Sequence, residues 1–136
     1  MVVKVSTSDM LRSIGFYCGI LGCTMDDRYT INANKKWDTN SYVQLNYTTD
    51  DHLQFVIGLY KDLDQPYSSV PQNGTVPSFL VPDVQAFYNL LSVEGVGIDS
   101  DIILNTSDVG YTDHFFFFHD PDNNALVARQ NMPHVD

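Results

Sequence analysis

The sequence predicts an α+β fold made of two tandem βαβββ modules, and three observations carry that prediction. Two amphipathic helical stripes are each introduced by an Asp in the N-cap position, Asp9 and Asp83, which lie 74 residues apart. A short apolar run precedes each cap, and three more strand-like runs follow each helix. A repeat of this kind reads as an internal duplication, in which neither half could bury its own helix face and sheet face alone. The length of 136 residues suits a single domain spanning 1–136. Module one covers about 1–60, a linker about 61–74 and module two about 75–131.

In chain order, Val2 to Ser6 is short and β-branched, a strand signature. Asp9 can accept from the free N–H groups of a first helical turn. Behind it Met10, Ile14, Tyr17 and Leu21 fall on one helical stripe, and Gly22 can close the helix in a left-handed conformation. Strands are expected over Thr24 to Ile31, Ser41 to Tyr47 and Leu53 to Leu59, separated by polar turns. Pro66, Pro71, Gly74 and the Ser and Asn around them mark the linker. Thr75 to Val81 then reads as a strand, and Pro82-Asp83 stops it and caps a helix whose stripe is Val84, Phe87, Tyr88 and Leu91. Gly95 and Gly97 follow that helix. The last strands are Ile98 to Asn105, Thr112 to His119 and Ala125 to Gln130, the final pair joined by the turn sequence Asp120-Pro121-Asp122-Asn123-Asn124.

Composition narrows the function classes. Seven Lys and Arg against 17 Asp and Glu give a net charge of −10, which disfavours nucleic acid and anionic membranes and favours a cation if charge selects a partner. Only Glu94 among the acids is a Glu, so a mechanism needing two Glu side chains is excluded. No apolar run is long enough to span a membrane, and the N-terminus lacks signal-peptide features. Two cysteines, Cys18 and Cys23, make no disulfide framework, so a reduced, cytoplasmic setting is expected. No nucleophile elbow and no phosphate-cradling Gly loop appears.

Thr7-Ser8-Asp9-Met10-Leu11-Arg12-Ser13-Ile14-Gly15-Phe16-Tyr17, ending in Leu21-Gly22, resembles the opening of the vicinal oxygen chelate superfamily, which contains glyoxalase I, bleomycin-resistance proteins and extradiol dioxygenases. Phe116-Phe117-Phe118-His119-Asp120-Pro121-Asp122-Asn123-Asn124-Ala125-Leu126-Val127 is similar to its closing hairpin, and Pro77 to Val84 with Phe87-Tyr88 to the start of its second module. The resemblance covers essentially the whole chain. It implies modules that form a curved mixed sheet around a central cleft, two chains paired as a homodimer, and in the enzymes a divalent metal held by first-strand His and last-strand Glu residues. Counted from the two caps, the first-strand positions here are Val2 and Val76, and the closing position after Asn124 is Val127. The fourth belongs near the end of the strand Leu53 to Leu59, which holds no acid. Valine offers no lone pair, so no metal and no cofactor is expected.

Other residues rebuild such a centre poorly. His114 and His119 lie five apart on one strand and so point to opposite faces. His119 sits near Asp120 and Asp122 in sequence, where a hairpin hydrogen bond competes with a surface metal site. His52 lies in a turn and His134 in the tail, while Cys18 and Cys23 read as small buried hydrophobes. If Val127 faces the cleft, Ala125 and Arg129 share its face, and by the same logic Val76, Ser78 and Leu80 share one face of the first strand of module two. Arg129 could pair an anionic ligand group, or an acid or solvent at the strand end. The run Phe115 to Phe118 puts two rings on each sheet face. Trp37, in a loop, and Tyr60, at the start of the linker, complete the cleft candidates Trp37, Tyr60, Val76, Ser78, Val127 and Arg129. No catalytic residue is assigned.

Three functions are compatible with this reading. The first is a metal-free protein that binds a small molecule and sequesters a cationic or aromatic compound, as the resemblance to bleomycin-resistance proteins implies. The second is a metal-dependent lyase, isomerase or dioxygenase whose ligands lie elsewhere. The third is a scaffold or regulatory protein with a vestigial cleft.

Overall fold

The computed structural model describes residues 1–30, 41–106 and 112–131. Trp37 and His134 lie outside them. The described residues fall into two compact units. Unit one runs Met1–Val70 and takes in Asp120–Asn124; unit two holds the remainder from Pro71.

Unit one is built on β1 (Val2–Thr7), α1 (Met10–Gly19), β2 (Thr24–Met25), β3 (Tyr42–Thr48) and β4 (Gln54–Lys61). Its four strands are ordered β1-β4-β3-β2, with β1 parallel to β4 and the other pairs antiparallel. The alternation of a strand sends Val5 and Thr7, Val43 and Leu45, and Ile57 and Leu59 inward, all at most 4 % exposed. The helix α1 buries Met10, Ser13, Phe16 and Tyr17. Asp9 caps it as expected, accepting from Arg12 N at 3.1 Å, and Gly22 adopts φ +80° just beyond its end. The second strand is shorter than Thr24 to Ile31. Asp26 accepts from the Arg28 backbone N–H and starts a 3-10 turn at Asp27–Tyr29, which removes these residues from the ladder.

Unit two repeats the plan with β5 (Ser78–Leu80), α2 (Val84–Val93), β6 (Ile103–Thr106), β7 (Thr112–His119) and β8 (Ala125–Asn131), ordered β5-β8-β7-β6. Asp83 accepts from Ala86 N at 3.0 Å and caps α2. Phe87 and Tyr88 on α2 pack on Phe116 at centroid distances of 6.2 and 5.1 Å. Phe116, Phe118, Leu126 and Ala128 are fully buried on that face. Two strands are again shorter than expected. Pro77 and Pro82 bracket β5. The run from Ile98 makes one bridge to Phe118 and then breaks where the Ser100 hydroxyl, not a carbonyl, accepts the Phe117 N–H.

The chain leaves unit two at His119, contributes the turn Asp120–Asn124 to unit one, and returns at Ala125. That turn carries two buried carboxylates. Asp122, fully buried, accepts from Thr7 Oγ1 at 2.9 Å, Ser8 N at 3.0 Å, the Ser8 hydroxyl, Ser13 Oγ at 3.3 Å and Arg12 Nη2 at 3.2 Å. Asp120 accepts from Tyr17 OH at 2.7 Å, Asn124 Nδ2 at 2.9 Å and the Asp122 and Asn124 N–H groups at 2.9 Å. Asn123 takes φ +66°, the left-handed conformation that the turn sequence anticipates. Burial raises the Asp120 carboxyl above its ordinary value, against the lowering effect of these hydrogen bonds. Burial and the facing Asp120 push the Tyr17 phenol up as well.

Asp122→Ala would strand several buried donors and is expected to cost about 3 kcal/mol in urea unfolding. Asp62→Ala, which removes the exposed Lys4–Asp62 pair, should stay within about 1 kcal/mol. A raised carboxyl means that the folded state binds the Asp120 proton more tightly than the unfolded chain does. Its contribution is therefore fullest below the ordinary aspartate value of about 4 and is lost as pH rises through the raised value. The stability of the wild type relative to Asp120→Asn should fall across that window and flatten above it; a difference independent of pH would contradict the assignment.

Candidate functional site

Each sheet has one face under its helix and one open face, and strand parity decides which side chains reach the open one. In unit one, cross-strand pairing sets Val2, Lys4 and Ser6 beside Val56, Gly58 and Tyr60, which in turn face Asn46, Gln44 and Tyr42. Tyr60 therefore lies inside β4 and not at the start of the linker; it is 39 % exposed, and its ring meets Tyr42 at 4.8 Å. Lys4 Nζ sits 5.4 Å over the Tyr60 ring and bonds Asp62 at 2.6 Å, which raises its pKa. The Tyr42 hydroxyl donates to Gln44 Oε1 at 2.9 Å. Its ring lies across Gly58, where an added Cβ would come within 2.7 Å of Tyr42 Cε2 and 3.0 Å of Val2 Cγ1.

In unit two the open face has two neighbouring rows. One is Ser78, Val127 and Phe117; the other is Leu80, Arg129, Phe115 and Ile103. Phe117 is 38 % exposed and meets Phe115 edge-on at 5.9 Å. The four-Phe run thus divides as expected, with Phe116 and Phe118 beneath α2. Arg129 Nε pairs with Asp113 Oδ2 at 3.0 Å and donates to Asn131 Oδ1 at 2.9 Å. Val76 lies just before β5, half-buried, while Ser78 is exposed and Val127 half-buried. Of the cleft candidates, the structure brings Ser78, Val127 and Arg129 together on this face. Trp37 falls outside the described residues, and Tyr60 belongs to unit one.

The register also identifies the fourth position that the resemblance left open. Ser78 pairs with Val127 as Lys4 pairs with Gly58, and Lys4 and Ser78 are separated by the same 74 residues as the caps. Val2, Gly58, Val76 and Val127 present no donor side chain, so these positions do not fit a divalent ion. Among the described residues no group of three or more His, Cys, Asp or Glu could hold a metal. His119 does not bond Asp120 or Asp122. Its ring crosses Gly97, and Nδ1 lies 2.9 Å from both carboxylate oxygens of Asp99. Cys23 is buried, and burial pushes its thiol up to about 12; Cys18 is only half-buried.

Sequence reasoning missed Tyr42 and Gly58. The available signal was a glycine inside an apolar strand, which marks close approach of another group. Nothing in the spacing told which side chain approaches.

A family model described as Glyoxalase/Bleomycin resistance protein/Dioxygenase superfamily matches residues 2–127. No curated protein matches the sequence significantly. Solved structures of the same fold include a glyoxalase/bleomycin resistance protein/dioxygenase from Alicyclobacillus acidocaldarius, 18 % identical over 98 % of this chain and 91 % of that one, at a TM-score of 0.67. A glyoxalase/dioxygenase from Nostoc punctiforme is 15 % identical, covering 97 % and 90 % at 0.66. TnmS3, an antibiotic binding protein from Streptomyces sp. CB03234, is 20 % identical, covering 96 % and 93 % at 0.61. No described helix is long and apolar enough to cross a membrane.

Gly58→Ala should displace the Tyr42 ring, change the near-UV circular dichroism and cost about 1–3 kcal/mol. The same substitution in a Tyr42→Ala background should cost clearly less, because the ring it collides with is gone. Equal costs in both backgrounds would show that the glycine serves something other than Tyr42.

Proposed function

We propose, from the premise that the chain belongs to the glyoxalase/bleomycin resistance protein/dioxygenase superfamily, that it binds a small aromatic molecule without a metal. The observation that carries this reading is the donor chemistry at the four register positions, Val2, Gly58, Val76 and Val127. Lewis-acid activation of a substrate needs lone-pair ligands there, and these side chains supply none. What the open faces offer instead are rings: Tyr42 with Tyr60, and Phe115 with Phe117. Such pairs suit stacking on a planar compound, each contact adding about 0.5–1.5 kcal/mol beyond the buried area. The net charge of −10 favours a cationic group on the ligand, so such a group is part of the reading. A solved neighbour of the same fold that is described as an antibiotic binding protein supports binding over catalysis. A homodimer in the cytoplasm is included in this proposal, the pairing carried over from the family and the location from the two free cysteines.

Metal content and melting temperature of the purified protein test it together. The expected outcome is no stoichiometric ion and no saturable rise in Tm with Zn²⁺, Ni²⁺, Mn²⁺ or Fe²⁺. A site filled at 100 times its Kd stabilises the fold by about 2.7 kcal/mol, well within reach of a melting curve. One ion per chain, or a saturable rise, would return the metal-dependent enzyme to first place.

A further inference from the structure

Arg129 is the open-face cation of unit two, and its surroundings are unusual for a surface arginine. Among the described residues both side-chain polar contacts fall on one atom: Nε pairs with Asp113 at 3.0 Å and donates to Asn131 at 2.9 Å. Asp113 is itself 6 % exposed, so the anchor is held in the sheet. Nη1 and Nη2 have no partner among the described residues, and the side chain is 42 % exposed. A guanidinium fixed through Nε presents its two terminal nitrogens as one planar edge, which matches the two oxygens of a carboxylate. Pinning the fork beforehand lowers the side-chain entropy that binding must remove.

The rest of the face fits the other end of such a ligand. The row beside Arg129 carries Phe117, which is 38 % exposed, next to Val127 and the exposed Ser78. Same-face rows of a sheet are about 7 Å apart. An aromatic ring with a directly attached carboxylate spans that step, its ring on Phe117 and Val127 and its oxygens at the guanidinium. The charge of the whole chain does not oppose this. Fields from distant charges are screened beyond about 8 Å at physiological ionic strength, so the groups in contact decide which end of a ligand lands at Arg129.

We propose that unit two's open sheet face is a binding site for aromatic carboxylates, with Arg129 as the acid-reading residue and Phe117 as the ring platform. This rests on the small-molecule reading above and adds the acidic group that it lacks. Calorimetric titration of the full chain with 2-naphthoate, 2-naphthylmethanol and 2-naphthylmethylammonium tests it. Naphthoate should bind about 10-fold more tightly than the alcohol, the scale of one charge-assisted bidentate pair. Arg129→Gln should abolish that preference and leave the alcohol's affinity within about twofold. Arg129→Lys, which keeps the charge and loses the planar fork, should lose most of the preference and guards against a misfolded Gln variant. Phe117→Ala should weaken the acid and the alcohol alike. Equal binding of the three probes, tighter binding of the ammonium, or a preference that survives Arg129→Gln would overturn the acid-reading role and leave aromatic binding standing. No binding by any of the three would overturn both.

Discussion

The fold of unit one depends on a polar interaction at its centre. Asp122 is fully buried and accepts from hydroxyls on β1 and α1, from a backbone N–H and from Arg12. A buried carboxylate with no partners would be strongly unfavourable, and here nearly every lone pair has a donor. Those donors come from Thr7, Ser8, Arg12 and Ser13, so the strand end, the helix start and the distant turn are specified by one group. Because the turn lies between β7 and β8 in the chain, neither unit is a continuous stretch of sequence.

A second constraint follows from the sheets themselves. Parity gives each strand one set of side chains for the helix-covered face and one for the open face, and a shift of one residue would exchange the two sets. In unit two that rule places Phe116 and Phe118 beneath α2, and Phe115, Phe117, Val127 and Arg129 on the other side. The core requirement thus fixes which positions of each strand face outward. Arg129 is positioned because Ala128 is buried.

The periodic features were legible from the sequence. Both caps, both helices and the duplicated order follow from Asp9, Asp83 and their apolar stripes, since a 3.6-residue period and a cap are local properties. Strand ends were less legible, because side chains decided them: Asp26 turned the chain out of β2, and Ser100 took a ladder position before β6. Buried polar residues were the main blind spot. Ser13 sits on the inward face of α1 in place of an apolar residue, and its hydroxyl partners, Thr7 at 2.5 Å and the remote Asp122, explain it. The open faces were half legible, since parity put Ser78, Val127 and Arg129 on them, while the Tyr42 ring over Gly58 needed the register of β3 against β4.

That register bears on how far the chain stands from metal chemistry. Gly58 and Val127 occupy matching places in the two units, yet the two places are filled differently. At Val127 the position keeps a side chain, an apolar one with Phe117 beside it. At Gly58 the side chain is absent and a ring from the next strand fills the space, 2.7 Å from where a Cβ would stand. An acidic residue there would have to expel Tyr42 and separate it from Tyr60. Restoring a donor at this place would thus cost an aromatic pair, and keeping the pair excludes the donor. Selectivity on these faces then comes from ring contact and from single fixed charges, whose strength depends on how well each is held before the ligand arrives.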